Sequence, residues 1–147
     1  MKIAAVATMA IALAGPALAE IVSVPATGNV ATTMDALEAA VGKAGATVFA
    51  RVDHAGGAKS VDMEIADAQL LIFGNPKLGT PAMQDDPLAG LYLPLRVLVY
   101  EDGDGKTWLA YEDPSAMLAD LEVGAEAPYL KMMTGALSKL TGAAAGN

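Results

Sequence analysis

The stretch LPLRVLVYEDGDGKTWLAYEDP, Leu93 to Pro114, decides the fold. Two apolar runs, Leu95 to Tyr100 and Thr107 to Tyr111, flank EDGDGK, a segment rich in Asp and Gly. Asp-Gly pairs supply the positive-φ positions that close a β-hairpin, so the stretch predicts two adjacent antiparallel strands. Trp108 and Ala110 share one face of the second strand, whereas Leu109 and Tyr111 share the other. Trp108, Tyr100 and Tyr111 are expected to pack on the sheet, and an exposed Trp–Tyr pair would suit a dimer face. Asp113-Pro114 then opens a helix, with Asp at the N-cap and Pro at the first helical position.

Further along, Met117, Leu118 and Leu121 supply the apolar face of that helix, which Gly124 would end. A last helix starts near Pro128 and carries Leu130, Met133, Leu137 and Leu140 on one stripe. Toward the N-terminus, AQLLIF (Ala68 to Phe73) is a continuous apolar run that reads as a central strand. The following GNPKLGT predicts a loop, and a short helix is expected near Ala82 to Leu88. ATVFARVDH (Ala46 to His54) alternates, which places Val48, Ala50 and Val52 on one face and Phe49 and Arg51 on the other. Met34, Leu37, Val41 and Ala44 fall at helical spacing, with Thr32 or Thr33 as cap and Gly45 just past the end. AGGAKSVDMEIAD is ambiguous between a short helix and a loop, and Ile21 to Val24 reads as a short strand. The order of elements argues an α+β fold of two layers, with helices on one face of a mixed, mainly antiparallel sheet.

The first twenty residues, MKIAAVATMAIALAGPALAE, have the marks of an exported chain. Lys2 supplies a positive start, Ile3 to Ala14 an apolar run, and Ala17-Leu18-Ala19 an A-x-A cleavage site. The expected division is a signal peptide over 1–19, cut after Ala19, and one domain over 20–147, released into a periplasm. No Cys follows the cleavage site to carry a lipid, and no later apolar run of about 20 residues would insert in a membrane. With 9 basic and 17 acidic residues and a net charge of −8, the surface repels phosphate backbones and anionic lipid. Nucleic acid is therefore a poor partner and a cation or small molecule a better one. The absence of cysteine rules out disulfides, thiolate metal sites and cysteine nucleophiles.

The segments ARVDHA, LLIFGNPKLGTPAM, LPLRVLVYED and WLAYEDP carry a resemblance to the domain-of-unknown-function family 302. It runs from Val48 to Pro114 and, with the flanking helices, over 32–122. Pro81-Ala82-Met83 departs from the pattern, which has Leu before the Met. The resemblance implies a compact two-layer α+β domain that forms a homodimer, and it implies no particular activity.

FGNPKLGT (Phe73 to Thr80) nearly traces a phosphate loop. That loop needs Lys directly after its second Gly, followed by Ser or Thr. Here Thr80 and Pro81 stand at those places, so an ATPase is not supported. What remains is a turn, or a pocket wall in which Gly79-Thr80 opens a helix toward an anion. His54, the single histidine, follows Asp53 at the end of a predicted strand. No serine among Ser23, Ser60, Ser115 and Ser138 lies in a nucleophile elbow, and one histidine is too few for a usual zinc site. Asp102, Asp104 and Gly105 suggest a calcium loop, but its twelfth position falls on Asp113, past a whole strand. A soft site for copper or haem from His54, Met63 and Met83 is chemically conceivable. Met34, Met117 and Met133 are better read as core filler.

These observations lead to a non-catalytic module that binds a small ligand or metal ion. The site is expected where the end of the His54 strand meets the GNPKLGT loop. His54 would be the polar contact and Asp53 its orienter. Asn75 and Thr80 would hydrogen-bond, Lys77 would supply a counter-charge and Met83 a soft wall. Two alternatives stand beside it: an enzyme using His54 as general acid–base, and an interaction protein acting through a homodimer face.

Overall fold

The computed structural model describes residues 20–146, so the predicted leader over 1–19 lies outside the described residues. In chain order the elements are β1 (Ile21–Pro25), α1 (Val30–Lys43), β2 (Thr47–Asp53), α2 (His54–Lys59), β3 (Ala68–Gly74) and α3 (Pro76–Asp85). A 3-10 turn (Pro87–Leu91), β4 (Leu95–Glu101), β5 (Thr107–Glu112), α4 (Pro114–Met117) and α5 (Pro128–Ala145) complete them. The five strands form one sheet in the order β1-β5-β4-β3-β2. Each of its four pairings is antiparallel, so no parallel pair occurs among the described residues. The α+β reading holds, and the sheet is more regular than the expected mixed one.

The hairpin forms where the sequence places it. Gly105 takes φ +76°, and Asp102 Oδ1 accepts from the backbone N–H groups of Asp104 and Lys106, each at 2.9 Å. Its other oxygen accepts from Trp108 Nε1 at 2.7 Å, which fixes the indole beside the turn. Those hydrogen bonds hold the Asp102 carboxyl below the usual carboxylate range, the Lys106 amide contributing most.

Strand alternation sorts side chains to two unlike faces. Leu71, Phe73, Val97, Val99, Leu109 and Tyr111 point to the face that α1 and α5 cover. Met34, Leu37 and Val41 of α1 and Leu130, Met133 and Leu137 of α5 meet them in the core. The methionines expected as core filler, Met34, Met117 and Met133, are all buried. The opposite face carries Leu70, Ile72, Leu98, Tyr100, Trp108 and Ala110, none of which belongs to the core cluster.

Several boundaries differ from the sequence reading. α1 starts earlier, because Asn29 rather than a Thr accepts from Thr32 N at 2.9 Å and caps it. Asp113 and Pro114 open α4 as expected, but that helix ends at Met117. In β2 a bulge inserts Phe49 between Val48 and Ala50. Val48 therefore pairs with Phe73 and Arg51 with Leu71 on the covered face, while Ala50 and Val52 turn to the open face. Arg51 there reaches Asp35 at 2.6 Å and Glu38 at 3.2 Å, linking α1 to the sheet edge.

Candidate functional site

GNPKLGT is no loop: Gly74 ends β3, Asn75 follows, and Pro76 to Thr80 are already helical. Asn75 is the N-cap of α3, its Oδ1 accepting from Lys77 N at 3.0 Å, and Pro76 takes the first helical position. The N–H groups of Leu78 and Gly79 donate to Asn75 O at 2.9 and 3.0 Å. The anion site expected at Gly79-Thr80 is thus not formed, because the helix begins four residues earlier and these amides are satisfied within it.

Behind this first turn of α3 lies a cleft of about 390 Å³. Asn75, Leu78, Thr80 and Met83 wall it from the helix, Phe49 from the bulge, and Pro94 from the start of β4. Met133 of α5 is also part of its lining, and none of the lining residues carries a charge. Gly74 keeps the entrance open: a Cβ there would lie 3.4 Å from both Phe49 Cε2 and Pro94 Cβ. Gly79 lines the cleft too, and a Cβ there would make ordinary contacts with Leu93 Cδ1 at 3.7 Å and Met83 Cε at 4.0 Å. Phe49 is 58% exposed and Met83 39%, so two large apolar side chains stand at the rim without being absorbed into the core.

The expected meeting of the His54 strand end with this segment does not occur. β2 and β3 run antiparallel, with Asp53 opposite Gln69 and Thr47 opposite Gly74. His54 therefore lies at the far end of the ladder, about 17 Å along the strands from the cleft. Antiparallel pairing puts the C-terminal ends of neighbouring strands at opposite edges. Asp53 does not orient the imidazole either, since its Oδ1 accepts from Gly56 N at 2.9 Å and caps α2. His54 itself is the exposed first residue of that helix. Lys77 is exposed and outside the lining. Of the six proposed ligand contacts, Asn75, Thr80 and Met83 come together and Asp53, His54 and Lys77 do not.

The copper or haem set separates in the same way. Met83 lines the cleft, Met63 is 64% exposed in the segment after α2, and His54 opens α2 itself. Among the described residues no group of three or more His, Cys, Asp or Glu side chains is placed to hold a metal ion. Phe49, Leu93 and Pro94 were missing from the sequence reading of the site. A bulge that re-aims one residue leaves no trace in an alternating pattern, so nothing singled out Phe49.

The whole describes a two-layer α+β domain with an antiparallel sheet covered on one face and an uncharged cleft at the end of its central strands. A family profile, "Domain of unknown function DUF302", matches residues 22–142, and the chain belongs to that family. The crystal structure of an uncharacterized conserved DUF302 protein from Bacillus stearothermophilus superposes with a TM-score of 0.68. It shares 18% identity, over 86% of this chain and 95% of that one, which establishes a common fold. Curated relatives are "Fluoride-specific ion channel FluC 1" of Brucella suis biovar 1 (strain 1330) and of Brucella abortus biovar 1 (strain 9-941). Each is 40% identical over 117 residues, covering 78% of this chain. The chain spans less than half of these relatives, 46% and 43% of their lengths.

Proposed function

We propose that this chain is an exported, non-catalytic module that holds a small apolar ligand in the cleft between α3 and the start of β4. The observation that carries the reading is the cleft itself: about 390 Å³, with an uncharged lining and a rim of exposed Phe49 and Met83. That volume lies within the range of small-molecule pockets, which are mostly apolar with a few polar groups to orient the guest. Asn75 and Thr80 supply those groups. Catalysis by His54 has no support from this site, because the imidazole is a strand length away.

Nile red, an uncharged apolar dye, tests the reading. It should bind the purified protein with enhanced fluorescence, and Gly79→Phe should weaken binding by tenfold or more. A Cβ at Gly79 would meet Leu93 Cδ1 at 3.7 Å and Met83 Cε at 4.0 Å, ordinary contact distances with side-chain ends, so the ring should enter the cleft with the fold kept and circular dichroism unchanged. Equal binding by the folded variant would reject the cleft as the site.

The comparisons favour a second reading, in which the module works alongside a membrane channel for fluoride. No helix among the described residues is long and apolar enough to cross a membrane. In relatives named as channels, the part that resembles this chain would then be a non-spanning portion. Deleting this chain should lower the fluoride tolerance of its host; unchanged tolerance and fluoride efflux would discard that association.

A further inference from the structure

We infer that a gap between β4 and β5 is a binding site for a free apolar α-amino acid. The inference does not depend on a ligand in the cleft behind α3, with which this gap shares only Leu95. β4 starts at Leu95 and β5 ends at Glu112, yet the ladder between them stops at Leu98 with Ala110. Past that pair β4 stays bonded to β3, Leu95 opposite Phe73, and β5 stays bonded to β1, Glu112 opposite Ile21. The two neighbouring strands thus part, and a hollow of about 440 Å³ opens between them. Leu70, Leu98 and Ala110 line it from the open face of the sheet, while Met117 and Leu137 line it from the helix side. Ala110 leaves room beside Leu98 that a larger side chain would fill. The hollow has the volume of a small-molecule site and, below its mouth, an apolar wall.

Two charges at the mouth select the ligand. Arg96 and Glu112 both line the hollow, and their charged ends stand 3.9 Å apart. That exceeds the roughly 2.7–2.9 Å of a charge-assisted hydrogen bond. Neither side chain makes a hydrogen bond elsewhere among the described residues, so both have capacity to offer a guest. A carboxylate alone would pair with Arg96 and be repelled by Glu112; an amine alone would meet the reverse. An α-amino acid carries both groups on one carbon. Its carboxylate takes the guanidinium fork and its ammonium donates to Glu112, which leaves neither protein charge unpaired. A zwitterion of zero net charge is also not repelled by a chain at −8. The side chain of the guest then runs into the gap toward Met117 and Leu137, where an apolar group is favoured and a charged one would be desolvated without a partner.

Isothermal titration calorimetry of the purified protein with L-leucine tests this. Isocaproate, which lacks the ammonium, and isopentylamine, which lacks the carboxylate, serve as comparison ligands with the same apolar end. The expected result is saturable one-to-one binding of L-leucine, and binding tenfold or more weaker for each of the other two. Arg96→Gln and Glu112→Gln, each checked for folding by circular dichroism, should each weaken L-leucine binding tenfold or more. Should a variant fail to fold, the comparison of the three compounds on the unaltered protein still decides. No heat of binding from L-leucine, L-methionine or L-phenylalanine at millimolar concentration overturns the inference. Equal binding of L-leucine, isocaproate and isopentylamine overturns it too, as does L-leucine affinity unchanged in either folded variant.

Discussion

Tyr129 is buried at the start of α5 and donates its hydroxyl to Asp85 Oδ2 at 2.6 Å, tying that helix to the end of α3. Burial, and then the hydrogen bond to the Asp85 carboxylate, push the phenol from 10.0 up to about 12. The neutral form is thus favoured by folding. This contribution is complete below pH 10.0, the value in the unfolded chain, and is lost as pH rises through about 12. Tyr129→Phe should lower unfolding free energy by about 2 kcal/mol at neutral pH. The gap between variant and parent should close between pH 10.0 and about 12, as read from urea unfolding along a pH series. A gap constant across that window would remove the Asp85 bond as the source.

Among the elements, the junction before β4 depends on one buried carboxylate. Asp86 Oδ1 accepts from Leu88 N at 2.9 Å to start the 3-10 turn, and Oδ2 accepts from Glu122 N at 3.1 Å in the segment before α5. Asp86→Ala strands both amides and should cost about 2 kcal/mol, while Asp86→Asn, which retains one acceptor, should cost about half as much. Chemical denaturation of the two variants measures the ratio, and equal costs would mean that only one of the bonds matters. This junction joins residues 36 apart in sequence, and no local pattern announces it. The elements themselves were legible: apolar runs marked β3 to β5, Asp113-Pro114 marked the start of α4, and helical spacing marked α1 and α5. Asn75, Thr80 and Met83 come together because Asn75 caps the helix that carries the other two, a helix the sequence reading began only near Ala82. His54 was misplaced because strand direction, which sorts loops to opposite edges, depends on pairing and not on composition. The facing of β2 was misread for a related reason, since inserting Phe49 reverses the alternation halfway along the strand.

For the molecule as a whole, core burial and a large negative charge pull in different directions. Burial of the sheet's helix-covered face favours the folded chain, and the −8 net charge opposes it by self-repulsion. Added salt screens the second effect and leaves the first in place. Unfolding free energy should therefore rise between low and moderate salt, as followed by urea unfolding at neutral pH. A stability that falls with salt would point instead to ion pairs, such as Arg51 with Asp35 and Glu38, as the larger electrostatic effect.

The placing of β1 has a bearing on how the chain is made. Ile21 pairs with Glu112, so the opening strand has no neighbour until almost the whole polypeptide has left the ribosome. At roughly 5–20 residues per second, that wait lasts about 5–20 s. Throughout it the sheet lacks one border and the molecule cannot close, which gives any machinery that handles unfolded chains a window in which to act.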